Sequence, residues 1–408
     1  MTPRSLIALA ITLLLTASPA LAKENWEIWS DGNGRLELST RRFLTLEFDD
    51  PDLQFRVGGR FHFDGALFDD DASSIDDSAE VRRGRAYLAG RLFEDWRFKV
   101  EYEFSDQRSG WRNLWGRYEP FDRTWIKVGN FVAPFGLEDV ASSNTSTFME
   151  RSLASAIAPS FGTGGAVHHR GYFGDNGRWH RWGITSAFTV APLNDANDDI
   201  PHRSDHWAFT SRVTYAPIAR KRQVVHLAAS VEYRDMNGGS DYRVRSRPES
   251  ALGRYLVDTG LLGDVDQTVA FGAEGAVMYG PFSVQGEYMR VALDRSSSPN
   301  PDFDGWYVLG SWVLTGESRS YSRSRAVFSG VVPKRPWGAV ELAARYSTLD
   351  LIDSGVYGGS ENDVTVGLNW YIRENLRLMF NHVHVDSRPA AGGSDDPDIF
   401  QFRVAVFF

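Results

Sequence analysis

The final ten residues of this 408-residue chain, 399–408, constrain its fold more than any other segment. Successive side chains of a strand point to opposite sides, so the apolar residues here share one face: Phe400, Phe402, Val404, Val406 and Phe408. Gln401 and Arg403 lie on the other face, and the chain stops on an aromatic ring. The apolar face of such a strand must pack against a core or face lipid.

The opposite end of the chain carries the pattern of a secretory signal peptide. Arg4 supplies a positive charge, residues 6–15 form an apolar run, and Ser18-Pro-Ala-Leu-Ala22 offers small residues for cleavage. The run is too short and too sharply ended for a membrane-spanning helix, which argues against an uncleaved anchor. We expect residues 1–22 to be a signal peptide and the mature chain to begin at Lys23.

Composition narrows the fold class further. The chain has no cysteine, so it must hold together without disulfides. Its aromatic content is 13%, yet its mean hydropathy is only -0.33 and no later segment approaches about 20 consecutive apolar residues. This pairing is typical of transmembrane barrels, in which every second strand residue meets lipid. The net charge of -9 argues against nucleic acid as a partner.

Alternating segments recur along the chain, as in residues 96–104, where Trp96, Phe98 and Val100 alternate with Arg97 and Lys99. Sixteen segments predict spanning strands: 53–68, 81–92, 96–105, 110–119, 124–132, 164–174, 180–191, 205–216, 223–234, 266–279, 281–294, 303–315, 336–349, 361–372, 375–387 and 398–408. Strands in lipid must pair all their backbone groups, so they can only close on themselves. A soluble β-sandwich would also alternate, but the signal, strand lengths and terminal Phe408 favour a barrel.

The sequence therefore predicts an all-β protein, a transmembrane antiparallel β-barrel of sixteen strands with inward-folded loops. An even strand count places both chain ends in the periplasm. We expect a short N-terminal periplasmic segment at 23–50 and the barrel at 51–408, in the outer membrane of a Gram-negative bacterium. The connections 69–80, 133–163 and 235–265 are long outer loops, whereas 316–335 is unusually long for the inner side.

The most telling internal motif is Tyr242-Arg-Val-Arg-Ser-Arg-Pro248. In extended chain Arg243, Arg245 and Arg247 face one way, with successive sites ~6–7 Å apart. Guanidinium groups bind oxyanions through a planar fork, and several weak sites in series let ions leave as well as enter. The alternative is a solvated loop that contacts lipopolysaccharide phosphates outside the pore.

A second basic cluster is Val81-Arg-Arg-Gly-Arg85. Arg82 and Arg83 would normally point to opposite faces, although a kink in the strand could bring them together. The inner connection 316–335 adds further basic residues: Arg319, Arg323, Arg325, Lys334 and Arg335. This segment either folds into the pore or forms an ordinary periplasmic loop.

Several stretches resemble the phosphate-selective porin O/P family, in matching order over nearly all of the mature chain: 81–88, 94–99, 127–138, 147–151, 314–319 and 367–371. The resemblance implies a homotrimer of sixteen-stranded barrels, with an arginine ladder leading to a narrow anion site. The ladder would correspond to Arg243, Arg245 and Arg247, and the constriction to Arg82, Arg83 and Arg97.

The chain also departs from this family at the expected constriction. Members carry lysines after the Pro-Phe-Gly-Leu-Glu segment, where this chain has Asp139 and Asn144. Asn113 stands where a carboxylate is typical, and Ser322 and Val332 replace basic residues of the inner connection. Fewer cationic donors weaken a tight phosphate site, so anion preference is expected but a specific phosphate site is in doubt.

Histidines offer the remaining candidate chemistry. His382, His384 and Asp386 share a strand face, although a structural role is a better reading than a metal site. His168 and His169, expected near the outer rim, lack a serine–acid arrangement that would suggest a hydrolase. We predict no enzyme activity, no cofactor and no metal.

The predicted function is passive, anion-preferring diffusion of small oxyanions such as phosphate or polyphosphate through an outer-membrane porin. Its partners would be small anions, outer-membrane lipid and lipopolysaccharide, and two further copies of itself. The alternatives are a general or weakly cation-preferring porin, suggested by the net charge and Asp139, and a structural or adhesive barrel with a plugged lumen.

Overall fold

The structure, a computed structural model, describes residues 25–39, 43–105, 109–173, 180–193 and 206–408. The predicted signal peptide and Lys23 lie outside the described residues. The strands in chain order are β1 Asn25–Ser30, β2 Gly34–Ser39, β3 Phe43–Phe48, β4 Leu53–Asp69, β5 Ser78–Leu92, β6 Trp96–Glu103, β7 Gly110–Phe121, β8 Thr124–Val132, β9 Phe161–Phe173, β10 His180–Val190, β11 Trp207–Arg220, β12 Gln223–Tyr242, β13 Arg245–Ser246, β14 Val257–Asp258, β15 Leu262–Tyr279, β16 Phe282–Arg295, β17 Asp302–Val313, β18 Arg319–Ser322, β19 Val327–Val331, β20 Ala339–Asp353, β21 Val356–Arg373, β22 Leu376–Pro389 and β23 Asp398–Phe407. A short helix, α1, spans Leu137–Val140, and a 3₁₀ turn spans Leu153–Ala156.

Among these described strands, sixteen form the closed antiparallel barrel: β4 to β12, β15 to β17 and β20 to β23. The last barrel strand, β23, pairs with the first barrel strand, β4, with Asp398 opposite Asp69 and Phe407 opposite Arg60. Closure pairs the backbone of every barrel strand with two neighbours, which is what a strand in lipid requires. The predicted fold class is confirmed.

All sixteen predicted segments coincide with barrel strands, and the differences lie at their ends. The largest is in β12, which continues to Tyr242 rather than ending near residue 234. Residues 235–242 are mostly polar or glycine, so they give no apolar alternation; β15 extends beside them. Backbone pairing continues beyond the apolar band, where hydropathy no longer marks the strand.

The barrel is apolar outside and polar inside. On β12, Leu227 and Val231 are 51% and 42% exposed, whereas His226, Ser230 and Glu232 are buried. Soluble proteins have the opposite arrangement, with apolar residues inside and polar residues outside. Apolar residues on the outer surface suit a wall that faces lipid. In the part of the chain that the structure describes, no helix is both long and apolar enough to cross a membrane.

The N-terminal strands β1, β2 and β3 form an antiparallel meander that joins the barrel sheet. β3 pairs with Leu53–Val57 at the start of β4, below the point where β23 ends. The ring centres of Phe43 and Phe408 lie 4.8 Å apart at this junction. The described residues of the segment predicted at 23–50 thus extend the wall on the side of the short turns.

Within the described part of the chain, three connections fold into the lumen: residues 133–160, residues 243–261 and the β18–β19 hairpin. The largest apolar cluster lies inside the barrel, where Phe135, Leu153 and Val244 from two of these loops pack against Met289 and Phe303 of the wall. Inward-folded loops were predicted, and they divide the lumen into a filled side and an open side.

Candidate functional site

Loop 133–160 is fastened to the wall through the short helix α1. The carboxylate of Glu287, on β16, accepts hydrogen bonds from the backbone N–H groups of Leu137, at 2.6 Å, and Glu138, at 2.9 Å. The Tyr307 hydroxyl donates to the same carboxylate at 2.6 Å. These bonds satisfy two N–H groups that the first turn of a helix leaves unpaired.

The same loop is fastened again through Glu150. Arg82 donates to it from Nε at 2.9 Å and from Nη2 at 2.8 Å, and Arg403 donates at 2.7 Å. Burial alone would raise the pKa of Glu150, but the two guanidinium groups hold it well below its usual value. Arg403 also pairs with buried Asp64, so the anchor is a network of four side chains.

Strands β20 to β22 complete the attachment. Arg345 contacts the Glu138 carboxylate at 3.3 Å and donates to the Glu150 carbonyl at 3.2 Å. Arg377 donates to the Ser146 carbonyl at 2.7 Å, and Asn369 to the Thr147 carbonyl at 2.8 Å. The loop therefore fills the half of the lumen beside these strands.

The other half of the lumen remains open as a cavity of about 970 Å³ between the loop and strands β4 to β9. Three carboxylates line it: Glu101, Glu119 and Asp139. Fourteen basic side chains line it: Arg60, Arg83, Arg85, Arg97, Lys99, Arg112, Arg117, Lys127, Arg151, Arg170, Arg212, Arg243, Arg245 and Arg325. The lining is thus strongly positive although the whole chain carries a net charge of -9.

The lining carboxylates neutralise only some of these cations. Glu101 accepts from Lys99 at 2.6 Å, and Arg60 and Arg85 each lie 3.5 Å from it. Glu119 contacts both Arg97, at 2.7 Å, and Arg117, at 2.5 Å. Two lining carboxylates thus serve five cations, one of which, Arg85, also pairs with Glu103 at 2.5 Å. An excess of positive charge remains toward the cavity.

Among the lining cations, Arg83, Lys127, Arg170 and Arg325 have no ion pair within the described residues. Arg170 donates to the Asp122 carbonyl at 2.9 Å; we call the other three the unpaired cations. Lys127 lies instead beside aromatic rings, with its Nζ 4.8 Å from the centre of the Trp125 ring and 5.3 Å from that of Trp115. Arg325 lies in the turn between β18 and β19. Arg212, on the barrel wall, holds this turn by donating to the backbone carbonyls of Arg325 and Ala326. Their charge remains available to a solute.

A β-bulge places both Arg82 and Arg83 inside the barrel. His62 pairs with Arg83 but Phe63 pairs with Val81, so Arg82 is the extra residue of β5. The strand kink that the sequence analysis considered is therefore present. The side chains of Arg82 and Arg83 nevertheless make different contacts. Arg82 is bound to Glu150, whereas Arg83 lines the cavity.

The predicted ladder is present as alternation, and two of its three members line the cavity. Val244 is 1% exposed, while Arg243 and Arg245 line the open side. Arg243 pairs with Asp258, and Arg245 lies 4.0 Å from the centre of the Tyr255 ring. Arg247 lies on the same ring at 4.6 Å and donates to the Ala251 carbonyl, outside the cavity lining.

The other predicted constriction residues have mixed positions. Arg97 is half-buried, lines the cavity and pairs with Glu119. Asp139 is buried beside Arg151, at 2.8 Å, and burial raises the pKa of its carboxyl to about 6 in spite of that partner. Asn113 also lines the cavity and donates to Glu101 at 2.8 Å.

The inner connection 316–335 does fold into the lumen. Arg319 donates to Gln285 at 3.0 Å, and the Tyr321 hydroxyl lies 2.8 Å from Nδ1 of His226 on the wall. Of the basic residues noted in this segment, Arg325 lines the cavity.

The histidine hypotheses find little support in the geometry. His168 and His169 lie at the short-turn end of the barrel, not the outer rim, because β9 pairs there with Trp125 and Thr124. Each ring contacts a threonine hydroxyl, on Thr185 and Thr124 respectively. Among the described residues, no group of three or more His, Cys, Asp or Glu is arranged to hold a metal ion.

Sequence reasoning missed most of the cavity lining, above all Arg60, Lys127 and Arg170. The signal was clearest for Lys127, which stands between the outward apolar residues Ile126 and Val128, 48% and 64% exposed. Arg60 precedes the exposed Phe61, whereas Arg170 stands between His169 and Gly171 and has no apolar neighbour. Nothing in that alternation distinguishes an arginine of the open side from one bound to a loop.

The family model of phosphate-selective porin O and P matches residues 55–408. Porin O of Pseudomonas aeruginosa PAO1 is 27% identical over 410 residues, which cover 91% of this chain and 92% of that protein.

Solved structures agree in fold. The anion-selective porin from Comamonas acidovorans has a TM-score of 0.53 at 12% identity, covering 88% of this chain and 100% of that one. OmpT of Vibrio cholerae, in its trimer form, has a TM-score of 0.54 at 11% identity, with 87% and 99% covered.

Proposed function

Because the chain belongs to the phosphate-selective porin O and P family, we propose that it is an outer-membrane porin for small oxyanions, including phosphate. Solutes would pass through the open side of the lumen by passive diffusion. The observation that carries the proposal is the cavity lining, with fourteen basic side chains against three carboxylates. Such a field raises the local concentration of anions and excludes cations.

The cations would act in two groups. Arg243 and Arg245 would collect anions on the outer-loop side. Arg83, Lys127 and Arg325 would bind them transiently inside, because no carboxylate of the described residues forms an ion pair with them. Arg97 would contribute more weakly, since Glu119 offsets its charge. We assign Arg82 to holding loop 133–160 and Arg247 to holding its own loop, although both were expected to bind anions.

The general porin and the adhesive barrel are weaker alternatives. The net charge of -9 suggested cation preference, but it lies mostly away from the cavity lining, which is basic. A structural barrel would need no such cavity. We also propose that the protein has no enzyme activity, assembles as a homotrimer in contact with lipid and lipopolysaccharide, and is cleaved after Ala22.

The test is the zero-current potential of the mature protein in a planar bilayer across a potassium chloride gradient. We expect an anion-selective potential, and a loss of most of that selectivity when Arg83, Lys127 and Arg325 are all changed to glutamine. Arg290→Gln, at an exposed arginine paired with Asp302 away from the lumen, is the matched control. A cation-selective potential in the native protein would refute the proposal. Phosphate is then added to measure block of the chloride current.

A further inference from the structure

The open side of the lumen is lined by aromatic rings as well as cations. Trp115, Trp125, Phe131, Phe161 and Tyr255 all contribute to the cavity surface. Small inorganic oxyanions keep their hydration and gain little from the face of a ring. A lumen that served only such ions would need donors and charge, so the rings call for another explanation.

The rings and cations are interleaved side by side. Lys127 lies 5.0 Å from the centre of the Phe131 ring, in addition to its contacts with both tryptophans. Arg117 lies 5.6 Å and 5.5 Å from the centres of the Trp115 and Trp125 rings, and Arg112 lies 5.5 Å from that of Phe161. A solute whose anionic group contacts Lys127 therefore also lies beside these rings, within a few ångströms of the positive charge.

This surface is also firmly backed. Phe131 is 2% exposed and packs with Ala166 and Ala187, and the half-buried Trp115 and Trp125 lie against that cluster. Trp115 donates to Asn113 at 3.2 Å, and Trp125 stacks on His168 with ring centres 5.0 Å apart. Rings held in place bind without a large loss of side-chain freedom.

We propose that Trp115, Trp125 and Lys127 together form a subsite for organic anions that carry an aromatic ring. This inference rests on the anion channel proposed above. The anionic group binds Lys127, which lacks a carboxylate partner among the described residues, and the ring packs against the tryptophans. The cavity of about 970 Å³ has room for such a solute. The channel therefore prefers aryl anions over aliphatic anions of equal charge.

The test compares three fully ionised sulfonates as blockers of the chloride current through the mature protein: benzenesulfonate, cyclohexanesulfonate and methanesulfonate. We expect benzenesulfonate to block half the current at a concentration roughly five- to tenfold lower than methanesulfonate, from one or two ring contacts. Cyclohexanesulfonate is expected to fall between them, since it has the size but not the flat face. Equal half-blocking concentrations for benzenesulfonate and methanesulfonate in the native protein overturn the proposal.

Two variants locate the effect. Trp115→Leu combined with Trp125→Leu is expected to reduce the benzenesulfonate advantage to within about twofold, while phenylalanine at both positions restores most of it. Trp312→Ala, at a tryptophan on the outer surface that is 46% exposed, is the matched control and should keep the full advantage. An advantage that survives in the leucine variant overturns the assignment.

The opposing view is that the rings serve only to hold Lys127 and Arg117. The leucine variant would then lose block by all three sulfonates equally, and that result also overturns the proposal. If the leucine variant forms no channels, the comparison of the three sulfonates in the native protein still decides. Failure of the oxyanion proposal is separate, because it appears as a cation-selective potential in chloride alone.

Discussion

Arginines on the two sides of the lumen share a residue type and a strand face, but not a role. On the filled side, Arg345 and Arg403 have side chains 1% and 0% exposed, and loop carboxylates and carbonyls take up their donors. On the open side, Arg97 and Arg117 are 37% and 25% exposed, and their donors reach the cavity. An inward-facing arginine is therefore evidence of a channel only where no loop group reaches it.

The largest expected effect is on the filled side. Changing Glu150 to glutamine leaves buried Arg82 with a neutral partner and Arg403 with Asp64 as its remaining carboxylate, at a cost of about 3–5 kcal/mol in the free energy of unfolding. The measurement is the urea unfolding midpoint of the barrel in detergent. Glu119→Gln, the matched change on the open side, should cost less than about 1 kcal/mol because its pairs are partly exposed. Equal losses in the two variants would remove the distinction between the sides.

A second prediction concerns the ladder on the open side. Glutamine at both Arg243 and Arg245 removes two positive charges from the cavity lining, so anion-over-cation permeability should fall roughly two- to fivefold. The zero-current potential across a chloride gradient measures it. The stability change should be small, since the Arg243–Asp258 pair is partly exposed. Unchanged selectivity would show that the ladder does not act on passing ions.

The third prediction is a pH effect from Asp139. With its pKa raised to about 6 by burial, this carboxylate is ionised at pH 7.5 and protonated at pH 5, where an ordinary aspartate would stay charged. Acidification thus removes one negative charge from the lining and should raise chloride selectivity modestly, with a midpoint near pH 6. Asp139→Asn should make this pH step smaller. A pH step of equal size in that variant would assign the effect to other groups.

The smallest effect is expected at Arg247. Its guanidinium lies on the Tyr255 ring and outside the cavity lining, so Arg247→Gln should leave the zero-current potential unchanged within error. A drop as large as that of Arg245→Gln would mean that the third position of the ladder also meets the solute.

These contrasts explain what could be predicted from the sequence. Strands of the barrel are local patterns, so alternation located all sixteen, and it also paired Arg243 with Arg245 on one face. The roles of Arg82 and Arg83 depend on a bulge and on Glu150, which lies 68 residues from Arg82 along the chain. Lys127 follows the same alternation as any inward residue, and only the position of loop 133–160 reveals that it faces open space. The long-range contacts that loops make do not produce a periodic pattern in the sequence, so they could not be predicted from it.

The bulge in β5 also bears on how the barrel assembles. It changes the phase of the strand between Val81, which is 44% exposed on the outer surface, and Arg83 inside. A register slip of one residue against β4 would bring an arginine to the lipid side, at up to roughly 2–4 kcal/mol for each one near the membrane midplane. The native alignment of this strand pair is therefore favoured over its one-residue neighbours by the cost of placing an arginine in lipid.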